Sequence, residues 1–201
     1  MVTPEVIIAF ITGVLGPVLL LIIKQLFDKS KNKKPDMVID ALKTSKLIES
    51  KLDDIREEFK ADRVWVAQFH NGGHFYPTGK SMAKFSFIYE TVSSNTFSIQ
   101  PNFQNIPVNL FSKPINELLD NDVISIYDYK DETIATYGMK YIASENNCKS
   151  GYLFSIKTLD GKFIGILGLD FTKRKTKLSP ESVNNLEVYS SSIGGVLMSD
   201  R

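Results

Sequence analysis

This 201-residue chain has one cysteine, two histidines and one tryptophan, and its formal charge is +1. Each scarcity excludes something. With Cys148 alone there is neither an intramolecular disulfide nor a multi-cysteine zinc site. A near-zero charge gives no general case for nucleic acid, whose binding needs a basic face or stripe, and none is expected as a partner. The two histidines, His70 and His74, supply half of a zinc set, and no carboxylate stands between Asp62 and Glu90 to complete it. No G-x-S-x-G elbow exists. The TGKS of Thr78 to Ser81 has His74 where a phosphate loop needs its first glycine, and an alternating strand follows where a helix should. Composition and motifs therefore favour a protein that is not an enzyme, and no cofactor can be named.

Charge is also missing locally. Residues 6 to 23, VIIAFITGVLGPVLLLII, hold no charged side chain. As a helix this run is about 27 Å long, close to the roughly 30 Å hydrocarbon core of a bilayer. The basic residues come after it, the reverse of a signal peptide. Lys24, Lys29, Lys31, Lys33 and Lys34 against Asp28 place +4 in residues 24 to 34, which, with Glu5, leaves −2 for the remainder. Lysines on that side mark it as cytoplasmic. The reading is a transmembrane helix at 1–27 in the cell (inner) membrane, a basic linker at 28–35 that contacts the lipid bilayer, and a cytoplasmic C-terminal domain.

Asp36 is the expected N-cap of a connector helix within 36–62. Val38, Ser45, Leu52 and Phe59 recur every seven residues, with Ala41, Ile48 and Ile55 three later. That seam serves either to pack the helix on its own domain or to join copies in a coiled coil, so a homodimer or higher oligomer is expected. From Arg63 the period becomes two. RVWVAQFH, MAKFSFIYETV, DVISIYDY, GYLFSIKT and FIGILGLDF read as strands. DETIATYGMKYIASEN reads as a helix interrupted near Gly138, TLDGK as a hairpin turn, and the segment from Ser179 as a final helix with Pro180 in its first turn. The sum is α+β: an antiparallel sheet flanked by helices over 63–201, preceded by one N-terminal transmembrane helix.

The run from ISIYDY through TLDGKFIGILGLDF to SPESVNNLEVYSSSIGGVL resembles the C-terminal half of a GAF domain. A strand leads to a helix, a hairpin returns through a glycine-punctuated strand, and a capped helix closes the unit; Gly161, Gly165, Gly168 and Asp170 sit where that pattern expects them. The resemblance implies a six-stranded sheet with the N- and C-terminal helices on one face and a ligand pocket on the other. It also implies a sensory or regulatory role, with a possible small-molecule ligand and a protein output partner. Cyclic-nucleotide binders of the family carry an Asn-Lys pair upstream of the Tyr127 to Glu132 region, and this chain has none there. Cys148 has no neighbouring histidine, which speaks against bilin attachment.

The candidate binding residues centre on AQFHNGGHFYPTGKS. In RVWVAQFH, Trp65, Ala67 and Phe69 share one face, expected to pack on helices, while Gln68 and His70 share the other, expected to line the pocket. A loop from Asn71, with a positive-φ turn at Asn71-Gly72-Gly73, would bring His74, Phe75 and Tyr76 over the ligand. Tyr127, Asp128 and Tyr129 alternate on the strand that borders the pocket by the resemblance. The competing reading makes this stretch a turn and these aromatics core, in a membrane-anchored scaffold, assembly or lysis and envelope factor without ligand.

Overall fold

The computed structural model describes residues 3–4, 13, 15–31, 37–134 and 138–199. The elements in order are α1 (Gly16–Lys31), α2 (Met37–Phe59), β1 (Arg63–His74), β2 (Ser81–Val92), β3 (Ile106–Pro107), α3 (Ser112–Asn121), β4 (Val123–Ile126), α4 (Gly138–Glu145), β5 (Ser150–Lys157), β6 (Phe163–Phe171) and α5 (Pro180–Met198). Short 3-10 turns at Gln100–Asn102, Val108–Phe111 and Glu132–Ile134 fill the connections. The chain divides into two compact units, 1–41 and 42–201. No helix among the described residues is long and apolar enough to cross a membrane. Residues 1–2, 5–12 and 14 of the expected 1–27 span, residues 32–35 of the basic linker, and Asp36 lie outside the described residues.

Six antiparallel strands form one sheet in the order β3-β2-β1-β6-β5-β4. Both faces are buried. Val64 and Val66 of β1, Tyr152, Phe154 and Ile156 of β5, and Leu167, Leu169 and Phe171 of β6 pack with Ile48, Leu52 and Ile55 of α2 and with Leu186 and Ile193 of α5. The alternate residues Trp65, Ala67, Phe85, Phe87, Leu153 and Ile166 face Ile115 and Leu118 of α3 and Ala143 of α4. Period-two alternation here sorts residues between two apolar layers, not between core and water.

The α2 seam divides along its length. Ile48, Leu52 and Ile55 are fully buried in their own domain, while Ala41 is exposed and Leu42 is 64% exposed. The C-terminal helix forms as its sequence dictates: the Ser179 hydroxyl caps it by accepting from the Ser182 N–H at 3.1 Å, and Pro180 occupies the first turn. The TLDGK hairpin closes through the Thr158 N–H to the Lys162 carbonyl, with Gly161 at φ +81°.

Two local expectations are corrected. β1 does not stop near His70: Asn71 pairs with Ala83 and His74 with Ser81, so the NGG segment belongs to the strand, and Gly73, not Asn71, has positive φ. β4 ends at Ile126, so Tyr127, Asp128 and Tyr129 do not alternate on a strand. The cause is turn chemistry: the Asp128 carboxylate accepts the Lys130 N–H at 3.0 Å and that of Asp131 the Thr133 N–H at 2.8 Å, folding the backbone away from the ladder.

Candidate functional site

Between the sheet and the α3/α4 layer lies a cavity of about 40 Å³. Its wall is apolar and aromatic: Trp65, Phe85, Phe87, Phe111, Ile142 and Ala143 contribute. Trp65 stacks on Phe87 with centroids 4.2 Å apart, and its other side lies against Gly168, where a Cβ would come within 2.1 Å of the indole. Only glycine leaves room for that ring to lie flat on β6.

One end of the cavity is ionic. Arg63, Trp65 and Asp170 project from β1 and β6 on the same face, and Arg63 is paired with Asp170 in the sheet register. The Arg63 Nη1 donates to Asp170 Oδ2 at 3.0 Å and the Trp65 indole N–H to the same oxygen at 3.1 Å. A second Arg63 nitrogen donates to the Phe97 carbonyl at 2.9 Å. Arg63 Nε stands 3.3 Å from Glu90 Oε1, an ion pair without hydrogen-bond alignment. Glu90 in turn accepts the backbone N–H groups of Ile99 at 2.9 Å and Gln100 at 3.1 Å, which ties the β2–β3 connection to this cluster.

Burial pushes the Asp170 carboxyl above its ordinary range, against the opposing pull of Arg63 and the Trp65 N–H. Burial also opposes the Arg63 charge, but the Asp170 and Glu90 carboxylates outweigh it and hold the guanidinium ionised. Cys148 Sγ accepts from Arg63 Nη1 at 3.5 Å, and burial, then the nearby Asp170 charge, push its thiol well up. Such a thiol is no nucleophile. Tyr129 is buried against Gly151, its phenol raised by burial first and then by Asp170. Arg63 and Asn146 are shared with a polar cleft of about 270 Å³ that also involves Asn95, Thr96, Asn147 and Lys173, so the ionic end is the one that leads outward.

Of the eight residues expected to bind ligand, only Tyr129 lines this cavity. Gln68 and His70 lie on the opposite face of β1, in a shallow groove where His70 Nε2 is 2.9 Å from Ser86 Oγ. The two faces of β1 are the reverse of the expectation: the apolar set Trp65 and Ala67 faces the cavity. His74, Phe75 and Tyr76 lie at the exposed end of the β1–β2 hairpin. Tyr127 is half exposed with Lys177 Nζ 5.3 Å from its ring centre, and Asp128 pairs with Lys175 at 2.5 Å. Among the described residues no group of three or more His, Cys, Asp or Glu is placed to hold a metal. Arg63, Glu90 and Cys148 belong to the site without having been expected there. The available signal was a charge of each sign within otherwise apolar strands.

No family model matches the chain, and no curated protein matches it in sequence. Solved structures do. The blue-light absorbing form of the Thermosynechococcus elongatus PixJ GAF domain superposes with a TM-score of 0.60 at 12% identity, over 81% of this chain and 89% of that one. A far-red cyanobacteriochrome photoreceptor gives 0.60 at 13% identity, over 90% and 97%. The phycocyanobilin-bound GAF domain from a cyanobacterial phytochrome gives 0.59 at 17% identity, over 80% and 87%. The fold is GAF-like. In this GAF-like domain α2 and α5 occupy one face of the sheet, and the cavity with its ionic end lies on the other.

Proposed function

We propose that the chain is a membrane-tethered, GAF-like sensory or regulatory module without catalysis of its own, which binds a compact, largely apolar ligand in the sheet cavity. The observation that carries this is an aromatic cavity bordered at its outward-leading end by the Arg63–Asp170 pair. Such a site takes a flat apolar body and reads a single polar group at the ionic end. The similar solved structures are photoreceptor domains, one of them phycocyanobilin-bound, which supports a ligand-sensing use of the fold.

A bilin does not fit these residues. The cavity is about 40 Å³, whereas pockets for drug-sized ligands run to roughly 300–1,000 Å³. The single cysteine is buried against Arg63 with its thiol held protonated, not poised for attachment.

Tethering rests on the uncharged run of residues 6 to 23, and the lysines that follow it support a cytoplasmic side for the domain. Output passes to a protein partner, and the exposed N-terminal turns of α2 supply a surface for a second copy. A scaffold without ligand is the second reading. It is favoured by the same 40 Å³, room for only a few water molecules at roughly 10–15 Å³ each.

Melting of the detergent-purified protein against a panel of small aromatic acids, amines and nucleobases tests the choice. A ligand that raises the melting temperature of the wild type, and loses that effect in Ala143→Phe, places binding in the cavity. No shift with any compound, together with a native mass spectrum free of retained small molecules, selects the scaffold.

A further inference from the structure

The β1–β2 hairpin outruns the rest of its sheet. β6 accompanies β1 only as far as Gln68, opposite Gly165, and β3 meets β2 only at Lys84 and Phe85. β1 and β2 continue alone to His74 and Ser81, so at about 3.3 Å per residue the arm extends some 20 Å beyond its last support from β6. At its end stand Phe75, 49% exposed, and Tyr76, 98% exposed, followed by Pro77. The turn is closed by the Phe75 N–H to the Lys80 carbonyl and the Gly79 N–H to the Phe75 carbonyl, both 2.8 Å. The rings are thus held out by a hydrogen-bonded turn, away from any core.

The charge around this tip has one sign. Lys80 and Lys84 flank it, and the chain has no acidic residue between Asp62 and Glu90. Because β6 runs antiparallel to β1, the β5–β6 turn lies toward the same end of the sheet. That turn exposes Leu159 fully and Lys162 beside it; the Asp122 carboxylate is paired with Lys157, while the Asp160 carboxylate accepts from the Thr158 hydroxyl and keeps its charge, so the single sign belongs to the hairpin itself. Helix α2 reverses into β1 through Lys60 to Asp62, so its earlier turns, from Leu42, lie toward the tip end as well.

Aromatic rings with a polar edge, beside lysines, fit the headgroup level of a bilayer, and an anionic leaflet attracts the basic flank. We propose that the Phe75–Tyr76–Pro77 tip is a second membrane contact, seated in an anionic leaflet with Lys80 and Lys84 against lipid phosphates. This rests on the tethering proposed above. The span holds the chain at the membrane, and the hairpin adds a contact of the folded domain's own.

The test uses the full chain in vesicles of phosphatidylcholine with a quarter phosphatidylserine, with and without brominated acyl chains. Tyr76→Trp is compared with Phe97→Trp, a similarly exposed position that reports from the Arg63 end of the sheet, and wild-type Trp65 emission is subtracted. Emission from Tyr76→Trp is expected to fall by about half in brominated lipid, and that from Phe97→Trp to stay unchanged. Quenching should weaken in pure phosphatidylcholine and in Lys80→Glu with Lys84→Glu; if it persists undiminished in both, the anionic part of the assignment is overturned. Protein that floats with the vesicles but shows equal Tyr76→Trp emission in both lipids overturns the hairpin contact and leaves the tether standing. Protein that does not float at all overturns both. A blue shift of Tyr76→Trp without bromine quenching assigns the tip to another protein chain and overturns the lipid contact.

Discussion

Arg63 and Asp170, at the first position of β1 and the penultimate position of β6, meet at 3.0 Å with side chains 1% and 6% exposed. They are 107 residues apart in sequence and directly opposed in the ladder. Glu90 brings a second carboxylate to the same guanidinium, so one cation serves two anions and its removal leaves both uncompensated. The pair thereby ties three neighbouring strands, β2, β1 and β6, at the end of the sheet where the cavity opens.

Arg63→Met is accordingly expected to cost about 3–5 kcal/mol of stability, the range for breaking a buried ion pair from one side. Asp170→Asn should cost less, since Glu90 still holds the arginine and the amide still accepts the Trp65 N–H. Arg63→Met with Asp170→Leu should recover part of the loss. Urea unfolding followed by Trp65 fluorescence measures all three, and an Arg63→Met variant as stable as the wild type would show that the cluster is merely tolerated.

Stability against acid should depend on Asp62. Burial alone would raise its carboxyl, but the Thr172 and Lys173 N–H groups and the Lys173 ammonium, 3.0 Å away, together hold it below the usual range. A carboxyl lowered on folding contributes fully above its unfolded value of about 3.9 and loses that contribution as pH falls through the lower folded value. Asp62→Asn is therefore expected to be less stable than wild type at neutral pH, with the two converging as pH falls below the ordinary carboxylate range. Parallel acid titrations of melting temperature check this. Curves that stay apart by a constant amount would assign Asp62 an uncharged role.

The elements are legible in the sequence where they are local. Five strands, the helix before Cys148, the TLDGK turn and the Ser179 cap all follow from short-range pattern and turn chemistry, and the GAF-like order from the glycines of β6. The site is not. When both faces of a strand are apolar, Trp65 and Ala67 carry no mark of which helix layer they meet, and polarity alone points Gln68 and His70 to the cavity. They are polar because the sheet face beyond the α2/α5 layer opens into a groove. Arg63 and Asp170 become a pair only through register, which no window of sequence contains.

Substitutions along α2 should separate fold from assembly. Leu52 and Ile55 are fully buried against the sheet, so Asp at either is expected to cost more than about 3 kcal/mol and to unfold the domain rather than to divide a dimer. Ala41→Asp with Leu42→Asp lies on exposed helix and should leave the melting temperature within a few degrees while shifting the sedimenting species toward monomer. A wild-type chain already monomeric at high concentration in detergent would remove the coiled-coil reading from this helix.

The hairpin arm supplies the last contrast, between Asn71 and Gly73. Asn71 lies within β1, paired with Ala83, and its side chain accepts the Gly73 N–H at 3.1 Å. Asn71→Val gains a residue suited to strands and loses one exposed hydrogen bond, so its effect should stay within about 0.5 kcal/mol. Gly73 sits at φ +100°, with open space where a Cβ would stand, so Gly73→Val suffers backbone strain alone, on the order of 1–3 kcal/mol. Because the arm beyond His70 has only its own two strands to hold it, that strain should appear as faster amide exchange at Phe75 and Gly79, with the global melting temperature little changed. Equal exchange in the two variants would mean that the bulge between Asn71 and His74 does not set the direction of the tip.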